Sequence, residues 1–207
     1  MTGGTRPARA RSGGGRPTRA PRQVRIIGGA WRRTPIPVAD MPGLRPSPDR
    51  VRETLFNWLA HLRPAPRSLR GLDLFAGTGA LGFELASRGA ARVVLVERQP
   101  LLLQRLRELQ AKLQATQVEV IAGDSLAIAA SLPRAGFDVV FLDPPFDAGL
   151  LWPAIDAARP LLADGGLVYA EAEAPIVPAD AAAHGLEIVR AARAGRVCFH
   201  LLQPRNA

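Results

Sequence analysis

The chain has 207 residues, 47% of them hydrophobic, which suits one domain with a sizeable core. Its single cysteine, Cys198, excludes an internal disulfide and a cysteine-rich zinc cluster, and no apolar run reaches the length of a membrane span. The formal net charge of +9 is unevenly placed: residues 1–33 hold nine arginines and no acid, whereas Gly71 onward has twelve basic and fifteen acidic residues, net −3. A chain polarised in this way points to a polyanionic partner at its basic end. An arginine-favouring composition explains why Lys112 is the only lysine, but not why the first 33 residues lack acids.

Residues 1–22 carry six arginines among Gly, Pro, Ser, Thr and Ala, with no hydrophobic segment behind them. They read as a disordered basic arm rather than a secretory signal, so a cytoplasmic protein is expected. From Val24, "VRIIGGAWRRTPIPV" reads as two short strands around Gly28-Gly29, a hairpin. "RPSPDRVRETLFNWLAHL" then starts a helix, with Ser47 or Asp49 as cap and Val51, Leu55, Trp58 and Leu62 on one face. Residues 23–70 form an N-terminal extension, and the polar, Pro-rich link "RPAPRSLR" separates it from a domain over 71–207. There the pattern alternates: strands at Leu72–Phe75, Val93–Val96, Val118–Ile121, Val139–Leu142 and Leu167–Ala170, with helical stretches between them such as Leu101–Gln114. This predicts an α/β fold with a mostly parallel sheet. The last runs, Leu186–Val189 and Val197–Leu202, are separated only by "RAARAG" and Arg196, too little for a helical crossover, and should pair as an antiparallel hairpin.

The first of these strands leads into "LDLFAGTGALGFELASRG", in which Gly77, Gly79 and Gly82 spell a dinucleotide fingerprint and Glu97 ends the next strand. An NAD-dependent oxidoreductase is therefore one reading. Asp73 weighs against it, because a carboxylate four residues before the first glycine would repel a pyrophosphate. S-adenosylmethionine is the other reading: it carries a sulfonium and an ammonium, and its ribose diol can take Glu97. Asp124 and Ser125 stand at a third strand end, where they could meet an adenine edge, although Gly-Asp-Ser is also ordinary turn chemistry. Asp73, Glu97, Asp124 and Asp143 thus close four successive strands and should line one crevice.

"FDVVFLDPPF" ends that series. The run Val139–Leu142 suits a strand buried on both faces, and Pro144 and Pro145 stop it, presenting Asp143 on a stiff exit. A strand-ending Asp-Pro turn is the plain alternative. An exocyclic amino group on a base is a poor nucleophile because its lone pair is delocalised into the ring. Acceptors for its two N–H groups, here Asp143 and the Pro144 carbonyl, draw the nitrogen toward pyramidal geometry, and Phe146 can stack on the base. Asp143 could also collect the released proton.

Taken together, "DLFAGTGALGFELASRGA", "VVLVERQP", "GDS" and "FDVVFLDPPF" resemble the class I S-adenosylmethionine-dependent methyltransferases of amino groups. "VRIIGGAWRR" with "LRPSPDRVRETLFNWL" narrows the resemblance to the RsmD family, over about Val24 to near the C-terminus. The resemblance implies methylation of a guanine N2 in 16S ribosomal RNA (guanine 966), within the 30S subunit or an assembly intermediate. It implies a Rossmann-like seven-stranded sheet with an N-terminal hairpin; the antiparallel C-terminal hairpin, no metal and a monomer are expected besides. Cofactor positions fall on Asp73, Ala76, Gly77, Gly79, Glu97, Arg98, Asp124 and Ser125, and the catalytic motif on Asp143, Pro144, Pro145 and Phe146. Arg25, Arg32, Arg33, Arg50 and Arg52 are the expected RNA contacts; Arg33-Thr34 stands where the family usually has Gly-Arg. The rivals are a DNA adenine or cytosine amino methyltransferase, a glutamine-amide methyltransferase (which typically has Asn in place of Asp143), and a non-catalytic RNA-binding protein. Trp31 reads equally as an RNA stacker or as packing on its own strand, Trp58 as core, and the three histidines carry no metal-ligand spacing.

Overall fold

One seven-stranded sheet organises the protein, in a computed structural model that describes residues 23–41, 44 and 46–205. The expected arm, residues 1–22, lies outside the described residues. In chain order come β1 (Gln23–Arg25), β2 (Pro35–Pro37), α1 (Asp49–Leu62), β3 (Arg70–Asp73), α2 (Ala80–Ser87), β4 (Arg92–Glu97) and α3 (Pro100–Leu113). They are followed by β5 (Val118–Ala122), α4 (Ser125–Ser131), β6 (Phe137–Leu142), α5 (Leu151–Ala158), β7 (Leu162–Ala172), α6 (Pro178–Ala183), β8 (Leu186–Ala194) and β9 (Val197–Pro204). The sheet order is β5-β4-β3-β6-β7-β9-β8; β3 to β7 are parallel, and β9 runs antiparallel between β7 and β8.

The order reverses between β3 and β6, and the crevice beyond the carboxyl ends at such a reversal is where open α/β sheets bind ligands. Helices cover both faces, so the central strands are apolar throughout: Val139–Leu142 and Val93–Val96 are all buried. One buried cluster unites β1, β2, α1, α2 and α3 with the sheet; a second lies under α4, α5 and α6. The first cluster runs across the polar link 63–70, so the N-terminal extension is a layer of the same core. Phe56 on α1 meets the Phe141 ring edge-on at 6.1 Å, and Trp58 packs on Phe199 at 5.4 Å, while Trp31 is half-buried against the same cluster.

Three local expectations need correction. The expected hairpin is present, β1 pairing antiparallel with β2, but Gly28-Gly29 alone do not make its connection, which runs from Ile26 to Thr34 and docks on the end of α2. There the Ala30 N–H donates to the Ser87 carbonyl at 2.7 Å, and the Ser87 hydroxyl to the Gly28 carbonyl at 2.6 Å. Gly29 has φ +77°, and a Cβ there would come within 1.8 Å of the Ser87 carbonyl oxygen, so only glycine fits. Neither Ser47 nor Asp49 caps α1; Pro48 occupies that position, which frees the Ser47 side chain for the site described below. Finally, Arg190–Ala194 of "RAARAG" extend β8, leaving Gly195-Arg196 as the whole turn of the C-terminal hairpin.

Candidate active site

A cavity of about 530 Å³ opens at the carboxyl ends of the parallel strands. Each parallel strand delivers an acid to it: Asp73 ends β3, Glu97 ends β4, Asp124 follows β5, Asp143 follows β6, and Glu171 lies near the end of β7. Opposing these carboxylates, the cations on the wall among the described residues are Arg98 and Arg196. Arg196 is 90% exposed and stands 3.9 Å from Glu173. The lining therefore favours a cationic ligand.

Asp73 is 1% exposed. Burial pushes its carboxyl up to about 7, against the N–H groups of Phe75 and Gly82, with Glu97 and Glu171 adding to the rise. Its Oδ1 is buried with no hydrogen-bond partner. A buried orphan oxygen is costly unless a ligand completes it, and a bound ammonium would do so.

Glu97 braces the glycine loop. Its Oε2 accepts from the Gly77 N–H at 2.9 Å, and its Oε1 from the Arg98 and Gln99 N–H groups at 2.8 Å each. Oε1 is thereby filled, whereas Oε2 keeps a lone pair for a hydroxyl. Gly79, at φ +79°, opens α2; a Cβ there would meet Phe83 and Leu106 at 2.6 Å, so this glycine lies behind the cavity wall and sets the loop's shape. Asp124 is the N-cap of α4, with Oδ1 accepting from the Leu126 and Ala127 N–H groups at 3.0 and 3.2 Å. Its turn role is real, and it still lines the cavity beside Ser125.

Asp143 faces the cavity at the exit of β6, with Pro144 buried behind it and Phe146 39% exposed at the rim. Burial, then the charges of Glu171 and Asp73, raise Asp143 well above the ordinary carboxylate range, and the Ser47 hydroxyl acts in the opposite direction. Glu171 is also raised by burial, opposed by hydrogen bonds from Ser47 and Tyr169. An amino group entering here would meet acceptors on a rigid wall and a ring at the rim.

Comparison with known proteins agrees with this geometry. Residues 24–203 match the family model described as conserved hypothetical protein 95. Ribosomal RNA small subunit methyltransferase D of Escherichia coli K12 is 43% identical over 187 residues, covering 87% of this chain and 90% of that protein. The chain belongs to the RsmD family of methyltransferases. The solved structure of yhhF from Escherichia coli superposes with a TM-score of 0.74 at 42% identity, covering 89% of this chain and 99% of that one. A precorrin-6y C5,15-methyltransferase from Geobacter metallireducens, at 20% identity and a TM-score of 0.63, shares the fold, the Rossmann-like class I sheet.

Seven of the eight cofactor positions suggested by the RsmD resemblance line the cavity (Asp73, Ala76, Gly77, Glu97, Arg98, Asp124 and Ser125), as do all four residues of the Asp143–Phe146 motif. The arginines divide. Arg32, Arg33 and Arg50 are exposed, and Arg25, 65% exposed, pairs with Asp49 at 3.0 Å. Arg32 and Arg33 leave the loop docked at the far end of α2, roughly 12 Å below the glycine loop for an eight-residue helix. Arg52 is a correction. Its side chain is wholly buried, donating to Asp49 Oδ1 at 2.7 Å and to the Ser47 carbonyl at 3.2 Å, with Glu84 at 3.7 Å, so it cannot be an RNA contact.

Sequence reasoning missed Glu171, Ser47 and Arg196. Glu171 immediately follows the expected strand Leu167–Ala170, so the rule that picked out the other four acids applies to it equally. Ser47 was absorbed into a helix cap. Arg196 fell within a hairpin connection whose neighbours in space no local pattern reveals.

Proposed function

We propose that the protein transfers a methyl group from S-adenosylmethionine to the N2 amino group of a guanine in small-subunit ribosomal RNA, guanine 966 by resemblance. The observation that carries this reading is the pairing, in one cavity, of a buried unpartnered carboxylate oxygen on Asp73 with a proline-stiffened Asp143. When bound, S-adenosylmethionine supplies a methyl group made electrophilic by its sulfonium. Asp73 Oδ1 would take the ammonium, Glu97 Oε2 a ribose hydroxyl, and Asp124 with Ser125 the adenine edge. Asp143 and the Pro144 carbonyl would hold the acceptor amino group, and Phe146 would stack on its base. The names of the relatives favour RNA over DNA as substrate. The reading extends to the 30S subunit or an assembly intermediate as partner and to a cytoplasmic monomer.

Mapping N2-methylguanine in 16S RNA from cells with and without the gene tests it: one position should lose its mark and regain it on complementation. An unchanged RNA, or label appearing in DNA or protein instead, would sink the proposal.

Asp73 gives a pH-dependent expectation. Its carboxyl titrates near 7 in the free protein, and a cation binds only its ionised form. Affinity for S-adenosylmethionine should therefore fall as pH drops below about 7, by up to tenfold per unit. The same group makes the free protein lose stability as pH rises from the unfolded carboxylate value through 7, since the folded state binds the extra proton in that window. Asp73→Asn should weaken cofactor binding, flatten its pH dependence and raise the melting temperature at pH 8 more than at pH 5. Calorimetry and thermal melts at both pH values check this, and equal stabilisation at both would refute the assignment.

The arm is tested by salt. Six arginines without acids contribute to RNA affinity through counterion release, which fades as ionic strength rises. Removing residues 1–22 should leave cofactor affinity and the methylated position unchanged, weaken RNA binding at low salt and flatten the slope of log K against log[salt]. Filter binding with and without the arm decides, and parallel lines would mean that the arm adds nothing.

A further inference from the structure

Asp143 and Glu171 meet because of strand register. On the paired strands β6 and β7, Phe141 lies opposite Tyr169 and Leu142 opposite Ala170, so the next rung brings Asp143 beside Glu171. Alternation puts Phe141 with Asp143, and Tyr169 with Glu171, on one face; the two rings touch edge-on at 6.1 Å. Like charges directly across a sheet are destabilising, and more so when desolvated. Glu171 is 2% exposed. A third residue reaches this pair from outside the sheet. Ser47, 4% exposed and just ahead of α1, donates its hydroxyl to Glu171 Oε1, and its Oγ lies 3.5 Å from Asp143 Oδ2. The Ser47 carbonyl is held by the Arg52 guanidinium, so the hydroxyl is fixed in place.

We infer that Ser47 and Glu171 are positioning residues for Asp143, holding it in a pair of carboxylates that share one proton through the Ser47 hydroxyl. This rests on the methyl transfer proposed above only for its catalytic consequence. Two hydroxyls, from Ser47 and from Tyr169 at 2.8 Å, donate to the same oxygen of Glu171 and favour its anion. The shared proton then resides on Asp143. Asp73 on β3 adds a further negative charge toward Asp143. The other titratable groups on the cavity are Glu97, Asp124 and Glu173, and none of the described ion pairs joins Arg98 or Arg196 to Asp143.

In the transfer, the amino nitrogen gains a bond to the methyl carbon as the sulfur–carbon bond breaks, the positive charge passes to nitrogen, and one N–H proton leaves. Asp143 takes that proton only when ionised. A cation seated at Asp73 favours ionisation of the pair, so Asp143 becomes an acceptor when the cofactor site is filled. The Ser47 hydroxyl then offers the collected proton a path from Asp143 to Glu171.

The test is a carboxyl-carbon NMR titration of the full-length protein without cofactor. Glu171→Gln removes a neighbouring negative charge and should lower the Asp143 midpoint by about one pH unit or more. Ser47→Ala removes a donor and should raise it, while Ser47→Thr should restore the original value. Opposite signs from two neighbouring substitutions are not produced by loosened packing. Either shift with its stated sign, in a variant whose amide spectrum is folded, supports the inference, and should reappear as a matching displacement of the alkaline rise in kcat. Midpoints that coincide in all variants overturn it. Shifts of the right sign in a protein that methylates no RNA would leave the carboxylate pair standing and refute the proposed function instead.

Discussion

Replacing Asp143 with alanine should lower the rate of methyl transfer by roughly 10²–10³, the scale of losing one preorganised electrostatic partner. Affinity for S-adenosylmethionine should change little, because Asp73 and Glu97 reach the cavity from other strands. Glu171 is held by Ser47 and Tyr169 at its own position on β7 and cannot take over the lost oxygen. Asp143→Asn is the informative companion. Its amide oxygen still accepts an N–H, so it should retain more activity than alanine if orienting the amino group dominates. Single-turnover rates with saturating cofactor check both variants. An asparagine variant as inactive as alanine would show that proton removal is the essential role and that geometry alone does not account for the motif.

Much of the sheet was legible because β4, β6 and Leu167–Ala170 of β7 carry the continuous apolar runs that burial on two faces demands, and the acids that follow or end them break those runs visibly. The glycine loop and Asp143–Phe146 were legible for a related reason: glycines and prolines constrain the backbone locally, so their meaning survives without knowledge of the fold. What failed depended on distant partners. Ser47 reads as a helix cap by every local rule, yet its partner Glu171 lies 124 positions away. Gly28 and Gly29 look like a turn and instead fit against the end of α2, more than fifty residues on. Arg52 has the sequence context of a solvated helix charge, and its burial against Glu84, from another element, leaves no local sign.

Arg52 carries the other large effect. Its guanidinium joins Asp49, the Ser47 carbonyl and Glu84, whose carboxylate in turn accepts the N–H groups of Ile27 and Gly28 at 2.6 and 2.9 Å and the Arg88 Nε at 2.8 Å. One buried ion pair therefore connects α1, the N-terminal loop and α2. Arg52→Ala removes a cation from the fully buried Glu84, which keeps Arg88 at 2.8 Å, and empties a buried space, changes that together cost about 2–4 kcal/mol. For a protein of this size that corresponds to a melting temperature lower by on the order of 10 °C. Arg50, two residues earlier and exposed, makes the contrast: Arg50→Ala should move stability by no more than about 0.5 kcal/mol while weakening RNA binding. Arg52→Ala should also lower kcat, since the Ser47 carbonyl loses its anchor and the hydroxyl its fixed position between the two carboxylates. Thermal melts and filter binding of the two variants side by side separate the roles. If Arg52→Ala melted with the wild type and lost RNA affinity as Arg50→Ala does, the guanidinium would be a surface ligand for RNA and its place in the core would be wrong.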